Sequence, residues 1–313
     1  MKSRNYAGIS LLASLAACNS ATAETVQKNS TQDLKKPNVI VILADDLGYG
    51  DLKCYGAKNV ETPHVDKLAS EGIRFTNAHT VAATSTPSRY SLLTGEYAWR
   101  RPDTDIAAGD VKMIIRPEQY TMADMFKSAG YATAAIGKWH LGLGDKTGGQ
   151  DWNAPLPAAL GDLGFDYHYI MAATADRVPC VFIENGKVAN YDPSDPIEVS
   201  YTKNFPGEPT GKDNPELLYN LHPSNGHDMS IVNGISRIGF MKGGGKALWK
   251  DENIADSITP FMPSILSNSI KTSLSLCILR PMMYTFPVFL MTASVERILW
   301  DYAETQSPNS TGR

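Results

Sequence analysis

Asn38-Val39-Ile40-Val41-Ile42-Leu43-Ala44, closed by Asp45-Asp46, decides the fold. The run is apolar without a break and rich in β-branched residues, the pattern of a strand covered on both faces, and such strands belong to parallel sheets sandwiched between helices. Two carboxylates follow at its carboxyl end, where open α/β sheets collect their ligands. Thr62-Pro63 then opens a helical stretch with a capping residue and a proline in the first turn; Gly72 closes it, and residues 73–78 are expected to return as a strand. Thr121 to Gly130 repeats the same grammar, with Met122, Met125 and Phe126 on one helical face, before an apolar run at 131–136. Strand and helix alternate, so the fold class is α/β.

Residues 161–201 gain Gly, Pro and Asp, and Val181 to Val188 reads as a hairpin around Asn185-Gly186, an expected excursion off the main sheet. Gly243-Gly244-Gly245 has no strand before it and no Gly-Lys-Ser/Thr after it, so it is a flexible loop and not a phosphate cradle. Cysteine spacing gives no metal site; a Cys54–Cys180 disulfide is allowed but not derivable.

At 313 residues, 42% hydrophobic and 20% charged, the chain has globular composition. A formal charge of -4 supplies no general attraction for polyanions, which argues against a nucleic-acid partner and requires any anionic substrate to find a local basic pocket. Lys2 and Arg4 precede a short apolar run ending Leu15-Ala16-Ala17-Cys18, which resembles a bacterial lipoprotein signal with its lipidated cysteine and is too short to span a bilayer. Export to the periplasm or outer membrane is expected, with the membrane met only through the lipid anchor. Residues 1–18 are the signal, 19–36 a Ser/Thr/Gln/Lys-rich flexible linker, and the folded part begins near Pro37.

Ser85-Thr86-Pro87-Ser88-Arg89 places a hydroxyl at the start of a helix whose first turn Pro87 presets, so an anion there meets free N–H groups and the positive end of the helix dipole. With Tyr90-Ser91-Leu92-Leu93-Thr94-Gly95 behind it, the segment resembles the signature of the sulfatases, at which a serine or cysteine becomes the aldehyde residue formylglycine. A second stretch, Gly130-Tyr131-Ala132-Thr133-Ala134 with Gly137-Lys138-Trp139-His140-Leu141-Gly142, resembles the second motif of that family. It carries a cation and a titratable base at i and i+2, which share a side in an extended segment.

The resemblance implies an alkaline-phosphatase-like mixed sheet flanked by helices, incomplete in this chain, and cleavage of sulfate esters, those of sulfated glycans by analogy. It implies formylglycine made from Ser85 by a serine-type anaerobic sulfatase-maturating enzyme. It also implies Ca²⁺, with Mg²⁺ the weaker alternative, on Asp45, Asp46 and the position of Ser85. Arg89 would hold the formylglycine, Lys138 would contact it and the sulfate, and His140 would take a proton as sulfate leaves. His227-Asp228-Met229 resembles a further landmark, with the His227 ring expected to cap a loop ahead of touching substrate. Two alternatives are a phosphonate or phosphodiester hydrolase of the same superfamily and a non-catalytic truncated lipoprotein.

The resemblance runs from Pro37 to about Thr259. Ile258-Thr259-Pro260 interrupts a helix that starts at Asp251, and helical periodicity is lost beyond it. Read one base earlier, the codons of residues 281–288 permit Thr-His-Asp-Val-His-Val-Pro-Arg, a sulfatase-like segment, and the two methionine codons force its central Asp-Val. A frameshift at about Thr259 or Pro260, in the gene or in its sequencing, is therefore expected; residues 260–313 would form a non-native tail without specified packing, and the sheet would lose its later strands.

Overall fold

The computed structural model describes residues 36–258 and the strand at 274–280. The expected signal, the expected linker up to Lys35 and most of the expected tail lie outside these residues. The compact unit holding the described elements begins at Pro37.

In chain order the regular elements are β1 (Val39–Ile42), α1 (Pro63–Glu71), α2 (Ser85–Thr94), α3 (Met122–Ser128), β2 (Tyr131–Lys138), β3 (Tyr167–Met171), β4 (Phe182–Glu184) and β5 (Lys187–Val188). There follow β6 (Glu198–Ser200), β7 (Ile231–Val232), β8 (Ile235–Ser236), β9 (Phe240–Lys242), α4 (Ile254–Ile258) and β10 (Leu274–Arg280). The main sheet has the order β1-β10-β2-β3-β4-β5, parallel from β1 to β3 and antiparallel beyond. This is the mixed α/β architecture that the sequence resemblance implies.

Local chemistry explains the elements. Thr121 caps α3 by accepting the Asp124 N–H, and Asp124 returns the bond to the Thr121 N–H, a reciprocal box that satisfies two otherwise orphaned donors. Gly95 ends α2 in the left-handed conformation (φ 70°), where a side chain would be strained. The Ala134-Ala135-Ile136 centre of β2 is buried, packed with Ile170, Met171, Leu160 and Leu163. Burying an aliphatic side chain of that size contributes about 1.5–3 kcal/mol, so this layer anchors the site-bearing strands.

Three expectations are corrected. Residues 73–78 join none of the sheets, and Ile73 and Phe75 are exposed; β-branched and aromatic residues form a strand only where a neighbouring ladder accepts them. The Asn185-Gly186 hairpin forms as read, with both residues at positive φ, but it extends the main sheet through β3 and β4 instead of leaving it. The sheet also keeps a strand after residue 259: the backbone of Leu274–Arg280 lies between β1 and β2, parallel to both. Its sequence, Leu-Ser-Leu-Cys-Ile-Leu, has the near-continuous apolar character that a central parallel strand needs. Cys54 and Cys180 are free thiols.

Candidate functional site

A cavity of about 430 Å³ opens beyond the carboxyl ends of β1 and β2, and Asp45, Asp46, Ser85, Arg89, Lys138 and His140 all line it. Six residues spread over nearly a hundred positions of sequence therefore line one cavity. Asp45 and Asp46 follow β1, Ser85 is the first residue of α2, and Lys138 is the last of β2. The extended run continues one residue past Lys138 and stops at His140, whose φ is 60°. Trp139 and His140 still donate their N–H groups to Met171 and Ala172 carbonyls beside β3, which keeps the turn in register with the sheet.

Arg89 organises the polar contacts. Its Nε donates to Ser85 Oγ at 2.8 Å, its Nη1 to the Lys138 carbonyl at 3.0 Å, and its Nη2 lies 3.4 Å from Asp45 Oδ1. Lys138 Nζ pairs with Asp45 Oδ2. Two buried cations thus share one carboxylate. Burial pushes the Asp45 carboxyl up, but Lys138 and Arg89 outweigh it and hold the group below its ordinary value. Burial, then the charge of Arg89, pushes the Lys138 ammonium down despite Asp45. Around Asp45 the two cations outnumber their shared carboxylate, a local imbalance that an anion's oxygens would relieve, while Asp46 and Asp176 balance the charge of the cavity as a whole.

His140 is 1% exposed and donates from Nε2 to the Ala107 carbonyl at 2.8 Å. A carbonyl accepts only, so Nε2 carries the proton and Nδ1 is the ring's basic nitrogen. Burial, and then Lys138, pushes its pKa down to about 3, so the ring is neutral at physiological pH.

The opposite wall holds Asp176 and Arg177, which sequence patterns did not single out, together with His227. Asp176 accepts from His227 Nε2 at 2.9 Å and from Arg177 Nη1 at 3.0 Å, and all three line the cavity. His227 also closes its loop through reciprocal backbone hydrogen bonds with Ser224. Buried Arg237 donates to the Ala175 carbonyl at 2.7 Å and pairs with Asp251, fixing the chain just before Asp176. Asp176-Arg177 follows β3 as Asp45-Asp46 follows β1, so the rule of ligand sites at strand ends, applied a second time, would have found it.

For calcium the donor set is partial. Both oxygens of Asp45 are engaged by cations, and no group of three or more His, Cys, Asp or Glu gathers among the described residues. Calcium takes six to eight oxygens, so the described residues do not fit a complete site. No helix among them is long and apolar enough to cross a membrane.

The sulfatase family model matches residues 37–220, and the chain belongs to that family. It is 56% identical over 248 residues to an N-acetylgalactosamine-6-O-sulfatase of Bacteroides thetaiotaomicron, covering 79% of this chain and 47% of that enzyme. It is 48% identical over 118 residues to a steryl-sulfatase of Mus musculus, covering 35% of this chain and 18% of that one. A solved structure concerned with metabolism of multiple glycosaminoglycans by Bacteroides thetaiotaomicron superposes with a TM-score of 0.82 at 47% identity, over 86% of this chain and 59% of that one. The chain spans less than half the length of these two relatives. The family hydrolyses sulfate esters and generally works with formylglycine and a divalent metal.

Proposed function

We propose that the chain derives from an exported, formylglycine-dependent sulfatase acting on sulfated glycans, with a 6-sulfated N-acetylgalactosamine as the first substrate to try. The single observation that carries the reading is the convergence of Ser85, Arg89, Lys138 and His140 on one cavity at the sheet's carboxyl edge. The 56% identity to a galactosamine-6-sulfatase supports the substrate class, and Asp176, Arg177 and His227 offer donors and an acceptor suited to sugar hydroxyls.

Oxidised and hydrated, position 85 would present two hydroxyls on one carbon: one attacks sulfur and gives up its proton as the ester S–O bond breaks and the sugar oxygen leaves as the alcohol, and deprotonation of the other expels sulfate and restores the aldehyde. Arg89 holds the oxygen of residue 85 in place through Nε. Lys138 and the first turn of α2 supply positive charge for sulfuryl oxygens. His140 accepts the proton of the second hydroxyl at Nδ1. Asp45 and Asp46, with position 85, would hold a divalent cation only weakly on their own. We therefore propose that the chain as written turns over little or nothing, and that restoring the frame near Thr259 supplies what is missing.

Two measurements test the reading. Intact mass across Ser85 after co-expression with a serine-type maturase should fall by two hydrogens. The frame-restored chain should release inorganic sulfate from N-acetylgalactosamine-6-sulfate, and Ser85→Ala should abolish release; undiminished release by that variant would end the proposal, as would faster turnover of the matched phosphate ester. The proposed lipid anchor predicts palmitate labelling that Cys18→Ala removes.

A further inference from the structure

Thr86 joins two segments that the sequence keeps apart. Its Oγ1 donates to the His140 carbonyl at 2.9 Å and accepts the Ala107 N–H at 3.2 Å, while the Ala107 carbonyl accepts from His140 Nε2 at 2.8 Å. The three residues close a ring of hydrogen bonds in which each gives one proton and takes one. Thr86 is 0% exposed, His140 1% and Ala107 5%, so water does not substitute for any member. Only a hydroxyl can both donate and accept in so small a space.

The ring surrounds an unusual backbone. His140 sits at φ 60°, a conformation costly for a residue with a Cβ and kept only where the surroundings over-determine it. Its Nδ1 is buried and has no partner among the described residues. A ring nitrogen with a lone pair and no donor beside it is available as a proton acceptor, provided the imidazole does not exchange tautomers.

We infer that Thr86 is a positioning residue: its hydroxyl ties the His140 backbone to Ala107 so that the imidazole is fixed as the Nε2–H tautomer, with Nδ1 reserved for proton transfer. The use to which Nδ1 is put rests on the function proposed above; the tautomer lock does not. An acid–base histidine in the wrong tautomer loses its role even where its position is unchanged.

The test uses the full chain labelled with ¹⁵N-histidine, the His140 signals being identified by their loss in His140→Gln. Thr86→Val and Thr86→Ala remove the hydroxyl; Thr86→Ser keeps it. The expected result is a pyridine-type Nδ1 and a pyrrole-type Nε2 in the parent and in Thr86→Ser, and movement of both toward an averaged, tautomer-exchanging position in the removal variants. A removal variant that folds and keeps the parental shifts overturns the inference. So does a serine variant displaced as far as the others, whatever becomes of them. In a matured chain that turns over, Thr86→Val should lower kcat about 10- to 100-fold with KM unchanged, and serine should restore it. Absence of sulfate release by the matured, frame-restored chain, alongside the expected shifts, would overturn the proposed function and leave the lock standing.

Discussion

Arg89 Nε donates to Ser85 Oγ at 2.8 Å from one turn further along the same helix. The spacing of four residues stacks the two side chains on one face of α2, so helix geometry alone delivers the guanidinium to the reactive position. Because the fork also reaches the Lys138 carbonyl and Asp45, a lysine cannot replace it. Arg89→Lys should lower stability by about 1–3 kcal/mol through buried acceptors left unpaired, read from urea unfolding. A change within error would show that the fork is not needed.

Asp45→Asn should cost more than Lys138→Met. The first leaves two buried cations without their carboxylate, a loss of about 3–5 kcal/mol, whereas the second leaves Asp45 with Arg89. Sodium sulfate should raise the melting temperature of Asp45→Asn further than that of the parent, because the unmatched cations then bind an anion in the folded state only. Equal losses in the two variants, with no differential sulfate effect, would contradict the shared-carboxylate picture.

Stability should decline as pH falls from about 6.5 toward 4. Burial pushes His168 down to about 4, and burial with Lys138 pushes His140 to about 3, from an ordinary 6.5. In that window the unfolded chain binds protons that the folded rings refuse, so each ring removes up to about 1.4 kcal/mol per pH unit. Above 6.5 both contributions are complete. Urea midpoints at pH 7.5, 6 and 5 should show the slope, and His168→Gln should roughly halve it; an unaltered slope would assign the effect to other groups. Below about 4 a second decline is expected, as Asp45, held below its ordinary value, takes up its proton and its pairing is lost.

Gly142→Ala should damage the second motif without touching its functional groups. Gly142 has φ 70°, and a Cβ there would stand 2.0 Å from the Lys112 carbonyl oxygen. Backbone cannot yield as a side chain does, so overpacking of about 1–3 kcal/mol adds to the left-handed strain. Thermal unfolding measures it; a neutral result would mean that the loop at Lys112 moves freely.

The sequence disclosed what repeats a local rule and concealed what depends on distant partners. Asp45-Asp46 after an apolar strand, Ser85 and Arg89 one turn apart, and Lys138 and His140 after another apolar run are short-range patterns, and all six line one cavity. Asp176 and His227 lie 51 residues apart, and Thr86 meets His140 across 54, so no window of sequence shows either pairing. Residues 73–78 were misread for the complementary reason: their composition suits a strand, but the ladder that would make them one is a property of the whole sheet.

β1 and β2, which deliver Asp45 and Lys138, never hydrogen-bond to each other; β10 stands between them. At about 4.8 Å per strand spacing, the width across which ammonium meets carboxylate is set by a spacer some 140 residues downstream of Lys138. The backbone of Leu274–Arg280 thus acts as the gauge between the two rails that carry the anion pocket, and any change that removed this strand from the ladder would reach the pocket mechanically.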